Sequence, residues 1–478
     1  MTASQLSAAP NSDERGRLLL AAILIIALVG LPMIAWAYWP GVMIDDARWQ
    51  YQQAVDNAYE DWHPPLMAWI WHMLIPLRSG PAPMLLLQLS LYWSGIALAA
   101  AALLRRGHPW PGFAAILAGW IPATLALSGS VTKDSLMTGA LLLSVGLLLW
   151  SRTAVSKSAR VSFGVACVLA LLFASALRVN AFFACAPLAL AVVPARFVRT
   201  PFRLALTAVF AAAIFAAMPG AIAKALDAED TDAQLSLIIF DLGGITEHSG
   251  VNQFPNLRVA NPVSVNHHCY DPTEWDSYST WAKTPCPLGF DAFQQLVDEG
   301  DTDPRMLWLR AVLSHPVAYA EHRLEHFNLS SRFLLAEDPA FTAWRQSVAN
   351  PWTFQVRQND LLAAIDQTAN VAGGTPLGWP IFWIALALAI AACSRVCQFD
   401  SITTSVAASA FVYGAGYAIV GVASGMRYYM WTLSGAAIAA VLAASELSDR
   451  SKRRRFAVVA APIVLVPTSA AVVARLVL

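Results

Sequence analysis

Residues Met84–Arg106 read MLLLQLSLYWSGIALAAAALLRR. From Met84 to Leu104 no charged side chain interrupts the run, and then Arg105 and Arg106 follow at once. A helix rises about 1.5 Å per residue, so a stretch of this length covers the roughly 30 Å of hydrocarbon in a bilayer while pairing its backbone polar groups internally. The segment is expected to span a membrane, and it sets the reading of the rest of the chain.

The whole sequence shares its character. Across 478 residues, 57% are hydrophobic, 13% are charged and 18 are Trp, against roughly 25% charged residues in a soluble domain. Similar runs occur at Leu18–Trp39, Gly112–Leu127, Leu136–Trp150, Val161–Leu177, Ala181–Pro194, Leu204–Ile222, Leu377–Cys393, Ile402–Val422, Tyr429–Ala444 and Phe456–Val473. The expected fold is an all-α polytopic membrane protein of about eleven transmembrane helices with a mixed α and loop extracytoplasmic domain. Ala181–Pro194 is the weakest of these spans because it is short and holds Pro187 and Pro194. The first span follows a polar tail without a small-residue cleavage pattern, so it reads as retained.

Arginine and lysine set the orientation. Arg15 and Arg17, Arg105 and Arg106, Arg152 with Lys157 and Arg160, Arg196 to Arg203, Arg395, and Lys452 to Arg455 fall on alternate loops, which the positive-inside rule assigns to the cytoplasm. The chain then divides into a cytoplasmic tail, 1–17, and a membrane module, 18–222, with an outward loop at 40–83. An outward domain, 223–375, and C-terminal spans, 376–478, complete it. The outward domain holds only Cys269 and Cys286 of the six cysteines, and an oxidising compartment would favour their pairing. Cys167 and Cys185 read as packing residues, and Cys393 with Cys397 lacks further ligands for zinc.

Three cations break the topology rule. Lys133, Arg178 and Arg427 each stand alone at an outward boundary. Lipid head-group contact accounts for any one of them; all three on the side of Asp45 and Asp46 favour an anion bound at the bilayer surface. Asp45 and Asp46 follow Pro40-Gly41, and Trp62-His63-Pro64-Pro65 turns the loop back toward the membrane. Taken alone, the two aspartates also suit the N-terminus of a helix.

At this point the chain resembles the GT-C superfamily, integral-membrane glycosyltransferases that use a sugar carried on a polyprenyl phosphate. The resemblance rests on Asp45-Asp46 and His63-Pro64-Pro65, then on Thr132-Lys133-Asp134, Leu177-Arg178-Val179-Asn180-Ala181 and Gly425-Met426-Arg427-Tyr428. It is greatest to the bacterial branch of aminoarabinose and protein O-mannosyl transferases. The 223–375 region carries little of it beyond Asp241-Leu242-Gly243-Gly244 and His315-Pro316. Tyr429 stands where relatives often place a proline.

The resemblance implies an enzyme of the cell inner membrane with its active site facing the periplasm or exterior. Its partners would be a polyprenyl-phosphate sugar donor, a lipid, glycan or protein acceptor, and membrane lipids; no nucleic acid is expected. Asp45 is the expected general base, with Asp46 its backup or orienter. Lys133, Arg178 and Arg427 would offset charge on the departing phosphate, with His63, Asp134, Asn180 and Tyr428 completing the substrate contacts. Many members position a divalent metal ion with these carboxylates and others do not, so the metal requirement stays open.

Two other readings compete. A multi-pass transporter or lipid flippase would have a similar number of spans, but it keeps ionisable groups near the midplane, whereas here they sit at the outer boundary. His322-Arg323-Leu324-Glu325-His326 matches the H-x-x-E-H pattern of a zinc metallopeptidase, and His315 shares its helical face. The pattern is short and lies among Trp308, Leu309, Val312, Tyr319, Leu324 and Phe327, which favours an interfacial helix.

Overall fold

An apolar segment in hydrocarbon must satisfy its own amides, and helices do so throughout this chain. The computed structural model describes residues 21, 25–26, 29–300, 302–337 and 344–477. Among them, eight helices are long and apolar enough to cross a membrane. They are Ala82–Arg105, Lys133–Thr153, Lys157–Ser175, Pro201–Ala225, Pro380–Cys397, Ser401–Val420, Met426–Glu446 and Arg450–Val477. The described residues hold no named strand, only isolated bridges such as Val42 with Ser130. The protein is an all-α polytopic membrane protein.

The three remaining expected spans differ for identifiable reasons. The tail 1–17 and residues 18–20, 22–24 and 27–28 of Leu18–Trp39 lie outside the described residues. Gly112–Leu127 is not one helix but two, Pro109–Ala118 and Pro122–Leu127. Pro122 has no amide hydrogen to give and disfavours a helical conformation at Ile121, whose ψ is 121°, so the first helix ends before it. Ala181–Pro194 yields only Phe182–Leu190, a helix of 9 residues containing Pro187. Neither piece is long enough to cross a bilayer by itself.

The central pair is Ala82–Arg105 and Lys133–Thr153. Glycine lets their backbones approach, as expected where van der Waals packing rather than hydrophobic burial joins helices in lipid. A Cβ on Gly95 would lie 2.4 Å from the Leu142 carbonyl carbon, and one on Gly146 would lie 2.8 Å from the Gly95 oxygen. The Lys133 helix starts where it does because Thr132 caps it, its hydroxyl accepting from the Ser135 amide at 3.1 Å. Lys133 and Asp134 therefore occupy the first turn of a mostly buried helix.

A second, separate core contains Leu235, Ile239, Phe240, Leu242, Tyr278 and Phe293, all fully buried. Cys269 and Cys286 are joined by a disulfide at its margin. Trp62, from the loop after the first helix, inserts beside it, with ring centroids 5.8 Å from Trp275 and 5.4 Å from both Trp281 and Phe290. The end of the 223–375 region packs elsewhere. Val356, Leu362, Ile365 and Ala369 join the larger core of the membrane helices, and Asn359 donates to the Ala37 carbonyl at 2.9 Å.

The helix contact at Gly95 gives a test. Gly95→Val should destabilise the protein by about 1–3 kcal/mol, because the added atoms meet backbone that cannot step aside. Gly164→Ala, in a helix where a Cβ meets nothing within 4 Å, should be neutral or raise stability by up to about 1 kcal/mol. Thermal unfolding in detergent micelles compares the two; equal midpoints would remove the close helix contact.

Candidate active site

The first loop is aligned with the start of the Lys133 helix by two backbone hydrogen bonds. Val42 donates to the Gly129 carbonyl at 3.1 Å, and Val131 donates to the Val42 carbonyl at 2.9 Å. The preceding Gly41 makes this turn with φ +118°, in the region that favours glycine. Four residues after Gly41 the helix Asp45–Asp56 begins, so its first turn faces the first turn of Lys133–Thr153.

This placement separates the two aspartates. Asp45 projects outward, its side chain 68% exposed, and pairs with Arg48 at 3.4 Å. Asp46 turns inward. Its Oδ2 lies 3.1 Å from Lys133 Nζ, 3.1 Å from Arg427 Nη2 and 3.6 Å from His63 Nε2. Burial alone would raise the Asp46 carboxyl, but Lys133, Arg427 and His63 together hold it well below the usual carboxylate range. His63 accepts from Lys133 Nζ at 2.6 Å through Nδ1. Burial first, then the neighbouring Lys133 ammonium, pushes the imidazole down to about 3, despite the opposing pull of Asp46. His63 is thus neutral at physiological pH and acts as an acceptor that fixes the lysine.

A second ion pair adjoins the first. Asp134 binds Arg178, and Arg178 Nε donates to Asn180 Oδ1 at 3.1 Å. Tyr428 links the two halves. The Arg178 and Arg427 guanidinium carbons lie 4.9 and 5.1 Å from its ring centroid, and Arg427 Nη2 donates to its hydroxyl at 3.1 Å. Asp46, His63, Lys133, Asp134, Arg178, Asn180, Arg427 and Tyr428 are therefore brought together, and Asp45 stands apart. Two buried polar atoms here, Arg427 Nη1 and Asp134 Oδ2, have no hydrogen-bond partner. An unpartnered guanidinium nitrogen beside a lysine ammonium is a place for an anion.

The cations lie at helix ends. Lys133 opens its helix, Arg178 follows the helix that closes at Ser175, and Arg427 lies in the short 3-10 turn, Met426–Tyr429, that opens the span Met426–Glu446. The donor set does not suit a divalent metal ion, because the Asp46 carboxylate already faces Lys133 and Arg427, whose charges would repel one.

Sequence reasoning missed three neighbours. Trp344 lies under Arg427 at 5.7 Å, and Tyr417 stacks on Tyr428 at 5.7 Å. Asp276 is within electrostatic reach of both Asp46 and Arg427; burial raises its carboxyl, against a hydrogen bond from Trp281. None of these has a signal in the local sequence, since each arrives from a distant segment.

The H-x-x-E-H stretch is committed elsewhere. His322 bonds the Tyr270 hydroxyl at 2.9 Å through Nδ1 and faces Asp241 at 3.3 Å through Nε2. His326 Nδ1 donates to the Pro272 carbonyl at 2.8 Å, and Glu325 pairs with His248 at 3.1 Å. Among the described residues no group of three or more His, Cys, Asp or Glu is arranged to hold a metal ion.

No family model matches the chain, and no curated protein matches it. Among solved structures, the crystal structure of ArnT from Cupriavidus metallidurans bound to undecaprenyl phosphate is similar at 14% sequence identity. The match covers 91% of this chain and 78% of that one, with a TM-score of 0.32. An overlap this loose transfers no residue roles, and the site stands on its own geometry.

Proposed function

We propose that this protein is a glycosyltransferase of GT-C type. It moves a sugar from a polyprenyl-phosphate donor to an acceptor hydroxyl or amine on the outer face of the cell membrane. The observation that carries the reading is the buried, unpartnered Nη1 of Arg427, on a guanidinium whose Nη2 shares Asp46 with Lys133. The cations come from separate parts of the chain and lie at the ends of apolar helices, where a lipid phosphate would sit. The sequence resemblance to that superfamily points the same way.

The chemistry follows from the charges. The acceptor oxygen or nitrogen attacks the anomeric carbon as the carbon–oxygen bond to phosphate breaks, and the departing phosphate gains negative charge. Lys133 and Arg427 stabilise that charge, with Arg178 behind them. The phosphate is a good leaving group, so no strong general acid is needed. The acceptor's proton goes to a first-loop carboxylate, and the geometry favours Asp46 over Asp45 because only Asp46 faces the cations.

Beside Lys133 and Arg427 the Asp46 carboxyl is held ionised and is a poor base. A donor phosphate would share those cations and weaken their hold on Asp46. Its affinity for a proton would rise only when the donor is bound.

Asp46→Asn should lower turnover by about 10² to 10⁴, while binding of undecaprenyl phosphate is kept or tightened, because the competing carboxylate is gone. Asp45→Asn should do much less. Purified variants assayed with a panel of polyprenyl-phosphate sugars decide this; near-normal transfer by Asp46→Asn would remove it as the base. Arg427→Ala should weaken undecaprenyl phosphate binding, and Arg427→Lys should restore it only in part, since an ammonium cannot reproduce a two-point guanidinium contact. Unchanged affinity in Arg427→Ala, Arg178→Ala and Lys133→Ala together would leave head-group anchoring as their role.

His63 makes a separate prediction about pH. Its imidazole is pushed down to about 3, so it stays neutral from pH 5 to 8. The rate profile of the wild-type protein should carry no histidine limb near the ordinary value of about 6.5. A limb there that His63→Gln removes would show that the imidazole titrates in the working range.

A further inference from the structure

Arg427 sits on a segment with little rigidity of its own. Between the helix Ser401–Val420 and the short turn Met426–Tyr429 lie five residues that begin and end with Gly421 and Gly425. Glycine gives the backbone its greatest freedom, yet the placement of Arg427 depends on this link. The rigidity comes from the second core. The Gly421 carbonyl accepts from Arg323 Nη1 at 2.6 Å. The Val422 carbonyl accepts from the Trp275 amide at 2.9 Å, and Ala423 bridges to Glu274. Just past Arg427, the Tyr429 hydroxyl and Ser330 Oγ are 2.9 Å apart.

Arg323 is the hub of these ties. It is 5% exposed, in the middle of the helix Pro316–Ser331. Its Nη2 lies 2.5 Å from Oδ1 of Asp241, which is itself fully buried. Asp241 is held in turn by the Trp308 indole at 2.7 Å and by His322 at 3.3 Å. His326 closes the other side, where a Cβ on Gly421 would lie 2.7 Å from its Nε2. A buried ion pair is a poor way to gain stability compared with apolar packing, but it restricts the orientation of the two groups it joins. Here one edge of the guanidinium is fixed on Asp241 and the other reaches the single backbone oxygen that begins the Arg427 segment.

We propose that Arg323 is a positioning residue: braced by Asp241, it fixes the Gly421–Gly425 link and through it the reach of Arg427 into the anion site. This rests on the phosphate-clamp reading above. It gives the Asp241 and His322–His326 elements a shared task, and it ties the second core to the charge of the membrane site.

The test is a double-mutant cycle on the full chain in detergent micelles, with undecaprenyl phosphate as the probe. Arg323→Met should weaken its binding about tenfold, as expected for loss of a hydrogen bond to a charged group. Arg323→Lys should recover part of that. In the Arg427→Ala background, Arg323→Met should cause no further loss, because its effect passes through Arg427. Merely lost stability would instead weaken binding equally in both backgrounds, and that result overturns the positioning role.

Wild-type affinity in a folded Arg323→Met variant also overturns it. Should Arg323→Met fail to fold, Ser330→Ala cuts only the Tyr429 tie and carries the same cycle at a smaller amplitude, about threefold; equal losses in both backgrounds, or no loss, would again be decisive against it. If Arg427→Ala binds as the wild type does, the clamp reading falls and this proposal with it. If Arg427→Ala weakens binding while Arg323→Met and Ser330→Ala do not, only the positioning role falls.

Discussion

The arrangement of the site depends on one carboxylate shared by two cations. Asp46 accepts both Lys133 and Arg427, residues that belong to helices distant in sequence. Without it, two positive side chains would be buried next to each other until another anion came between them. The carboxylate thus acts as a place-holder, keeping the cations aimed at one point. That point lies at the end of the most enclosed helix of the bundle, whose first turn is fixed by the Thr132 cap and by the pairing of Val42 with Gly129 and Val131.

Membrane packing explains why so much structure converges there. Close helix contact at Gly95 and Gly146 holds the Lys133 helix against Ala82–Arg105, whereas Pro201–Ala225 and Arg450–Val477 remain mostly exposed along their lengths. The buried helix carries the polar first turn, and the exposed ones carry apolar side chains suited to lipid. The second core is joined to this bundle by particular bonds, chiefly Trp62 with Trp275 and Arg323 with Gly421.

Much of this was legible in the sequence, for reasons that can be named. An uninterrupted apolar run forces a helix in a bilayer, so Met84–Leu104 and seven other segments were readable from composition. Isolated cations at a membrane boundary are costly, which made Lys133, Arg178 and Arg427 stand out. What could not be read was direction. Asp45 and Asp46 are adjacent, and only the alignment of their helix against Lys133 decides which one faces inward. Pro122 carried a signal for the break at Ile121 that apolarity outweighed. Trp344, Tyr417 and Asp276 were invisible because their positions depend on folding of remote segments. The histidines of the H-x-x-E-H stretch have metal-like spacing, but their ring nitrogens meet Asp241, Tyr270 and Pro272 instead.

Tyr428 has a consequence of a different kind. By offering its ring to both guanidinium groups, it lets the two ion pairs behave as a single charged body, whose stoichiometry can be counted. Lys133, Arg178 and Arg427 supply three positive charges, Asp46 and Asp134 supply two negative ones, and His63 is neutral. Among these directly paired groups three minus two leaves a surplus of one, with Asp276, which lies within electrostatic reach, outside the count. A phosphodiester carries one negative charge and would bring this ensemble to neutrality. A phosphate monoester carries roughly 1.5 to 2 near pH 7 and would exceed it. On the reading proposed here, the donor matches these paired side chains electrically and the released lipid phosphate exceeds them, so the same charge count that welcomes the substrate also favours departure of the product.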